Sequence, residues 1–270
     1  MYLLLVNPKA GNHRYRRIEK TFINLLDKQG VKYKIILLDD LSNTQDLLKQ
    51  NIKSDTTGIV AVGGNGTVNV VIDALVNYSD LPLGIIPISN TNRLAKTLGV
   101  ANWKAGIKAL NHPEIKHLRL GRIGERYFAG SLIVSPKRNV LTNIFTRQNR
   151  LKNFIGANIK QIHKEENQVA SSIGIDNHLT IHCQLNAMTI YFQDEFGKKM
   201  KVHLTTLSNK QPQDSILRAN QINIESSLNM PILCGNEVVA STPAKIQAVS
   251  KTLSVLAAPS LVKPALKSAV

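Results

Sequence analysis

The sequence is short of cysteine, of aromatic residues and of long apolar runs, and each shortage excludes a class of protein. Two cysteines in 270 residues, Cys183 and Cys234, match no metal-ligand spacing and no disulfide framework. No apolar run approaches the roughly 20 residues of a membrane-spanning helix. The opening run Tyr2–Val6 is short and lacks the basic flank of a signal peptide. We therefore expect a cytoplasmic protein with reduced thiols.

Acidic residues are also scarce, because 34 Lys and Arg face only 18 Asp and Glu, for a net charge of +16. The excess is not a basic tail: Lys and Arg number 17 against 10 acids in residues 1–125, and 17 against 8 in residues 126–270. A basic surface favours nucleic acid, nucleotides or an anionic membrane. Composition alone does not choose among these partners, and an ordinary solvated surface explains the charge equally well.

The first 125 residues alternate strand-like and helix-like segments. Strands are predicted at Tyr2–Asn7, Lys32–Leu38, Gly58–Val62 and Leu83–Pro87. Helices are predicted at Arg14–Lys28, Thr44–Gln50, Val68–Asn77 and through Leu94, Ala95 and Leu98. Repeated β-α units of this size predict an α/β fold, a doubly wound parallel sheet with helices on both faces.

After about residue 115 the pattern becomes that of antiparallel strands. The predicted strands are Ile115–Leu120, Tyr127–Val134, Leu179–Leu185, Met188–Phe192, Lys201–Leu207, Gln221–Ile224 and Lys245–Val249. We expect three parts: an α/β domain at 1–122, a β-rich domain at 123–257 and a C-terminal tail at 258–270 that docks on the first domain or frays.

Three polar turns follow three of the predicted parallel strands, at Asn7–Gly11, Gly63–Thr67 and Pro87–Asn92. Ligands of such sheets bind beyond the carboxyl ends of the strands. Consecutive glycines let the backbone approach a phosphate, and the amides of the following helix attract its charge. One glycine turn alone would be an ordinary tight turn, but three turns at one edge predict a nucleotide phosphate site. The P-loop and G-x-G-x-x-G motifs are absent, which argues against P-loop enzymes and common dehydrogenases.

Four ordered motifs make the sequence recognisable. They are Asn7-Pro8-x-x-Gly11, Gly63-Gly64-Asn65-Gly66-Thr67-Val68-Asn69, Leu83-Gly84-Ile85-Ile86-Pro87 and Asn92-x-x-Ala95-x-x-Leu98-Gly99. Together they resemble the diacylglycerol kinase catalytic-domain family, which includes bacterial lipid kinases and the sphingosine and ceramide kinases. NAD kinases share the glycine turn but lack the opening motif, so they fit less well. The resemblance covers residues 1–130 and is looser beyond.

The resemblance implies an ATP- and Mg²⁺-dependent kinase that transfers the γ-phosphate to a lipid hydroxyl of diacylglycerol type. The metal ligands stay unassigned, and Glu237 and Asn65 would stand nearest the reaction. Lys9, Arg14 and Arg16 could neutralise phosphate charge or simply face solvent. The residues implied in nucleotide binding are Asn7, Gly11, Gly63, Gly64, Gly66, Thr67 and Asn92.

The sequence departs from the family where acids are expected. Asn65 stands where the family turn carries Asp, and Gly235-Asn236-Glu237 stands for its Asp-Gly-Glu triplet. Ser89 replaces a glycine and Val70 a glutamate. An amide cannot accept a proton usefully, and losing a general base costs ~10²–10⁴ in rate. The alternative is therefore a catalytically inactive relative that binds nucleotide or lipid as a regulator, unless Asp39, Asp40 or Asp194 replaces a lost acid.

The segment Lys137–Lys164 has many cations and no acid, with apolar residues at helical spacing. This pattern suits an anionic membrane surface, although an ordinary surface helix explains it too. Interleaved aromatics and known nucleic-acid-binding motifs are missing. The expected partners are a nucleotide and a lipid substrate at the inner membrane surface, with a homodimer left open and no nucleic acid. A third reading is a basic membrane-binding module without nucleotide affinity.

Overall fold

A computed structural model describes residues 1–88, 92–136, 169–192, 199–208, 211–234 and 237–259, without the side chains of Arg93, Ser208 and Glu237. The basic segment Lys137–Lys164 lies outside the described residues, as does Asp194. So do the motif residues Ser89, Asn90, Thr91, Gly235 and Asn236.

The N-terminal part is a parallel sheet in the order β2-β1-β3-β4. Its elements are β1 (Tyr2–Val6), α1 (Ala10–Lys28), β2 (Tyr33–Leu37), a 3₁₀ turn (Leu41–Asn43), α2 (Thr44–Asn51), β3 (Gly58–Gly63), α3 (Asn65–Val76), β4 (Leu83–Pro87), α4 (Arg93–Thr97) and α5 (Trp103–Ala109). Leu3 and Leu5 of β1 lie in one hydrophobic core and Leu4 and Val6 in another. Helices therefore cover both faces, which explains why these strands read as continuous apolar runs.

Helix α5 was not among the predicted elements. It packs on β4 and α1, and the Trp103 ring lies 5.9 Å from that of Phe22. Gly106 allows α5 to lie close to β4, because a Cβ at this position would lie 3.1 Å from Ile86 Cγ1. The Asn102 side chain caps the helix by accepting from Ala105 N at 3.0 Å. Seven residues are too few to show a clear helical period in the sequence.

The C-terminal part is built from antiparallel strands around its own core. These are β5 (Glu114–Ile123), β6 (Arg126–Phe128), β7 (Ser131–Val134), β8 (Val169–Ile175), β9 (Leu179–Phe192), β10 (Met200–Ser208), β11 (Gln211–Ala219), β12 (Gln221–Ser226), β13 (Pro231–Cys234), β14 (Glu237–Ser241) and β15 (Ala244–Ala257). The core includes Phe128, Ile173, Ile190, Val202 and Ile222. The fold class is thus α/β followed by a β-rich part, as predicted.

Strands β5 and β15 pair along most of their length and carry the chain between the two cores. In β15, Ile246 lies in the core of the β-rich part, whereas Leu253 and Val255 lie in the α/β core. Val255 also pairs with Leu83 of β4. The tail begins against the first part, since Ala258 N donates to Leu98 O at 2.9 Å. Residues 260–270 lie outside the described residues.

The predicted break between two strands near residue 186 is wrong, because β9 is continuous from Leu179 to Phe192. Across from it on β10, Thr205 pairs with Ala187 and Thr206 with Leu185, so Asn186 is the extra residue of a β-bulge. A buried asparagine in a bulge looks like a turn residue in the sequence. Among the helices that the structure describes, none is both long enough and apolar enough to cross a membrane.

Candidate functional site

The glycine turn connects β3 directly to α3. Gly63 ends the strand, Gly64 precedes the helix, and Gly64, Asn65 and Gly66 are half-buried. A Cβ on Gly63 would lie only 2.5 Å from Thr67 Oγ1, so the folded-back Thr67 side chain excludes any larger residue there. Gly64 has no side chain to cap α3, and the first turn of the helix holds no acid. The start of α3 therefore has no side-chain cap, and the helix dipole favours an anion there.

A hydrogen bond joins the first turn to the glycine turn. Asn7 Nδ2 donates to Thr67 Oγ1 at 3.0 Å, and Asn7 Oδ1 accepts from Lys9 N at 2.9 Å. Both ends of the Asn7 side chain are therefore fixed by neighbours. Thr67 is 2% exposed, so its hydroxyl sits in the wall of the site.

The third turn packs on the other two through Ile88. Ile88 N donates to Gly63 O at 3.0 Å, and Arg14 Nη1 donates to Ile88 O at 3.3 Å. Gly11 has φ +59°, and a Cβ there would lie 3.2 Å from Ile88 O. Asn12 and His13 share this left-handed conformation, with φ of 57° and 59°. Such strain is typical of functional sites. The first turn, the glycine turn and Ile88 of the third turn thus lie together at one edge of the sheet.

Asn92 has one satisfied and one unsatisfied side-chain end. Its Oδ1 accepts from Ala95 N at 2.9 Å and caps α4. Its Nδ2 is buried without a hydrogen-bond partner in the part of the chain that the structure describes. A buried donor without a partner costs about 1–3 kcal/mol. A ligand oxygen at that position would remove the cost.

The acids near this edge are few and partly engaged. Lys9 Nζ donates to the main-chain carbonyl of Asp39 at 3.0 Å, and this bond holds the segment after β2 beside the first turn. The Asp40 carboxylate accepts from Ser42 N at 2.8 Å, and this bond holds the pKa of Asp40 below its ordinary value. Within the described ranges, no three His, Cys, Asp or Glu side chains form a group that could hold a metal ion.

Two residues that the sequence analysis did not single out tie α3 to the β-rich part. Asn69 Nδ2 donates to Asn65 O at 2.9 Å, and Asn69 Oδ1 accepts from Ala129 N at 2.9 Å. One turn further along the helix, Asp73 Oδ1 accepts from Tyr127 N at 2.8 Å. Burial raises the pKa of Asp73.

The signal for these contacts was present in the sequence. Asn65, Asn69 and Asp73 recur every four residues on a helix that is otherwise largely apolar, so they share one face. Helix α3 also contacts β13, the strand that precedes Glu237. The Glu237 side chain itself lies outside the described residues.

A cavity of about 970 Å³ lies within the β-rich part, where none of the predicted site residues is found. Strands β8 to β12 line it with a mixture of hydroxyl and apolar side chains, among them Ser171, Cys183, Leu204, Thr206, Ser215 and Ser226. Burial raises the pKa of the Cys183 thiol. Its size suits part of a small organic ligand.

Comparison with known proteins places this geometry in context. Residues 1–123 match the diacylglycerol kinase catalytic domain family. A diacylglycerol kinase of Staphylococcus epidermidis is 22% identical over 156 residues, which are 57% of this chain and 48% of that protein. The chain thus spans about half the length of that curated relative.

Solved structures share the fold over nearly the whole chain. A putative diacylglycerol kinase from Bacillus anthracis superposes with a TM-score of 0.76 at 16% identity, covering 97% of this chain and 96% of that one. An NAD kinase from Archaeoglobus fulgidus, solved in complex with ATP, gives 0.55 at 12% identity, covering 94% and 93%. The first resemblance is the stronger one, in agreement with the order expected from the motifs.

Proposed function

We propose, since residues 1–123 belong to the diacylglycerol kinase catalytic domain family, that this chain is a nucleotide-dependent lipid kinase. The observation that supports the proposal most is the meeting of three turns at one edge of the sheet. There the Asn7–Thr67 hydrogen bond and the close approach of Gly11 to Ile88 surround the uncapped start of α3.

The described residues fit a nucleotide phosphate. The amides of Gly64, Asn65 and Gly66 would bind the phosphate oxygens, and Thr67, held by Asn7, would fix the shape of the turn. The buried Nδ2 of Asn92 would donate to the nucleotide. ATP, when bound, supplies the phosphoryl group, and the chain orients it.

The transfer requires a proton acceptor. The lipid hydroxyl oxygen attacks the γ-phosphorus, the bond to the β–γ bridging oxygen breaks, and the hydroxyl proton leaves. Glu237 is our candidate for receiving that proton, and Asn65 would orient the reacting groups by hydrogen bonding, since an amide stays neutral. Mg²⁺, when bound, would be held mainly by the nucleotide phosphates and would neutralise part of their charge.

The lipid would be held by the β-rich domain, residues 123–257, while the chain lies on the inner membrane surface. The cavity lined by strands β8 to β12 supports this placement through its size and its mixed lining, which suits a molecule with both apolar and hydroxyl groups. The net charge of +16 supports attraction to an anionic membrane.

Phosphate transfer from γ-labelled ATP to lipid vesicles tests the proposal. Separate vesicles contain diacylglycerol, monoacylglycerol, sphingosine or ceramide, and Asn65→Asp is assayed beside the native chain. We expect labelled lipid from the native chain and a faster reaction from Asn65→Asp. Product from Asn65→Asp alone would identify an inactive relative, and no product from either chain would overturn the kinase proposal.

A further inference from the structure

The hairpin of β10 and β11 forms an edge of the β-rich sheet. Within the described residues, β11 pairs with β10 and with no other strand. Its first six residues, 211–216, are all exposed. A long exposed edge strand presents unpaired N–H and C=O groups that another strand can use.

The outward face of β11 carries an apolar residue between two opposite charges. Asp214, Ile216 and Arg218 alternate along the strand and so share one face, opposite Thr205, His203 and Lys201 of β10. Ile216 is 59% exposed, among the most exposed large apolar side chains of the described chain. The order acid, apolar, base along one face is the feature that selects a partner.

We propose that β11 is a self-association surface, on which two copies of this chain pair antiparallel about a two-fold axis at Ile216. In that register Ile216 meets the partner's Ile216. Asp214 faces the partner's Arg218, and symmetry repeats the ion pair on the other side of the axis. One strand thus supplies both halves of two cross-strand charge pairs.

The charges select this register over its neighbours. An axis at Asp214 or Arg218 would place like charges directly opposite each other, which is unfavourable in a sheet. An axis at Ser215 or Leu217 would leave at least one charge opposite an uncharged residue. Among these five axes, the axis at Ile216 is the one that places both Asp214 and Arg218 opposite a residue of opposite charge on the partner.

The backbone is compatible with the same register. In an antiparallel strand the N–H and C=O of one residue point towards the same neighbour, and successive residues alternate between neighbours. Pro212 has no N–H, and in edge strands the nitrogen of proline faces solvent. Asp214, Ile216 and Arg218 lie an even number of residues from Pro212. Their backbone N–H and C=O groups therefore face outward, as pairing at Ile216 requires.

The Asp214 carboxylate is already held on this face. Its Oδ1 accepts from Thr205 Oγ1 at 2.7 Å and lies 4.0 Å from His203 Nε2. A fixed carboxylate loses less conformational freedom when it forms an ion pair. The contact area of one strand pair is small, so we expect a weak dimer whose population depends on concentration.

Charge-reversal variants test the proposal by analytical ultracentrifugation over a range of protein concentrations. Asp214→Arg alone and Arg218→Asp alone each place like charges opposite one another, and each should weaken self-association at least tenfold. The double variant restores both pairs with reversed signs and should dimerise like the native chain. An equimolar mixture of the two single variants should form the mixed dimer, because each copy then supplies the charges that the other lacks.

Ile115→Lys is the matched control, since Ile115 is 52% exposed and lies on another strand. It should leave the dimer unchanged, whereas Ile216→Lys should dissociate it. Circular dichroism establishes that each variant is folded. In the mixing experiment each of the two chains differs from the native chain at one residue only. A native chain that is monomeric at every concentration would overturn the proposal. So would a dimer that is indifferent to Asp214→Arg, Arg218→Asp and Ile216→Lys.

Discussion

The two parts of the molecule use their strands differently. In the α/β part β1, β3 and β4 are buried along their whole length except at Tyr2, so polar chemistry is confined to the carboxyl ends of the strands. In the β-rich part most strands alternate between core and solvent, as β8 does from Val169 to Ile175. Polar residues there occur along the whole length of the strands, so their position does not mark one end of a strand as a binding site. A phosphate site can therefore be predicted from the sequence of the first part, whereas a lipid site cannot be predicted from that of the second.

Helix α3 connects these two kinds of structure. Its start is the glycine turn, and its middle hydrogen-bonds to Ala129 and Tyr127 at the beginning of the β-rich part. The glycine turn and the start of the β-rich part are thus joined through one helix. The predictions below separate the contribution of each part.

The largest effect is expected at the turn itself. Gly63→Ala would place a methyl group 2.5 Å from Thr67 Oγ1, so the turn must open. We expect at least a 100-fold loss of phosphate transfer and roughly 1–3 kcal/mol lower stability, measured by the lipid assay and by urea unfolding. Gly174→Ala is the control, since its Cβ would make an ordinary 3.5 Å contact in β8. Equal activities of the two variants would contradict a phosphate site at Gly63.

The connection between the parts comes next. Asn69→Ala removes two hydrogen bonds and leaves the Ala129 N–H buried without its acceptor. We expect the free energy of unfolding to fall by about 1–3 kcal/mol, with a loss of transfer activity greater than the loss of nucleotide affinity. The control Asn77→Ala removes an exposed bond within α3 and should cost under about 0.5 kcal/mol. An Asn69 variant as stable as this control would show that the bond from Asn69 to Ala129 does not couple the two parts.

The hydroxyl of Thr67 can be tested inside the first part alone. Thr67→Val keeps the shape of the side chain but takes the acceptor away from Asn7 Nδ2. Since Thr67 is buried, we expect a loss of about 1–2 kcal/mol in the free energy of unfolding and weaker nucleotide binding. Thr67→Ser retains the hydroxyl and should bind nucleotide within a few-fold of the native chain. If the valine variant bound ATP as well as the serine variant, the hydroxyl would have no part in the site.

A smaller effect should appear as a pH dependence at Asp73. Because burial raises its pKa above the ordinary 3.8, the folded chain holds this proton more tightly than the unfolded chain does. The stabilisation is complete below 3.8 and is lost as pH rises through the raised pKa. Asp73→Asn cannot ionise, so the native chain should lose stability relative to this variant over that interval. Urea unfolding at successive pH values measures the difference, with exposed Asp80→Asn as the control, and a constant difference would contradict the prediction.

The smallest effect is local to the cavity. The raised pKa of the Cys183 thiol lowers the fraction of reactive thiolate, so iodoacetamide should modify Cys183 more slowly in the folded than in the unfolded chain. Diacylglycerol vesicles should slow it further if lipid enters the cavity, whereas vesicles of phosphatidylcholine alone should not. Equal rates with both vesicles would exclude this cavity as the lipid site. Peptide mass spectrometry distinguishes Cys183 from buried Cys234.

The sequence predicted the features that depend on local pattern and missed those that depend on distant contacts. Buried parallel strands and the three turns follow from apolar runs ended by glycine, proline and asparagine. The strand β11 was missed because most of its residues are exposed and polar, which removes the alternation that marks a strand. The bond from Asn7 to Thr67 joins residues 60 positions apart, and no local pattern records it. Asn69 lay within a recognised motif, but its role needs the position of Ala129.

Calorimetric titration with ATP and with adenosine tests the central claim most directly, because the two ligands differ only in the phosphates. A phosphate site at Gly63–Thr67 predicts that the native chain binds ATP at least tenfold more tightly than adenosine. It also predicts that Gly63→Ala abolishes this preference while Gly174→Ala keeps it. Equal affinities of the native chain for ATP and adenosine, or an undiminished preference in Gly63→Ala, would contradict the claim.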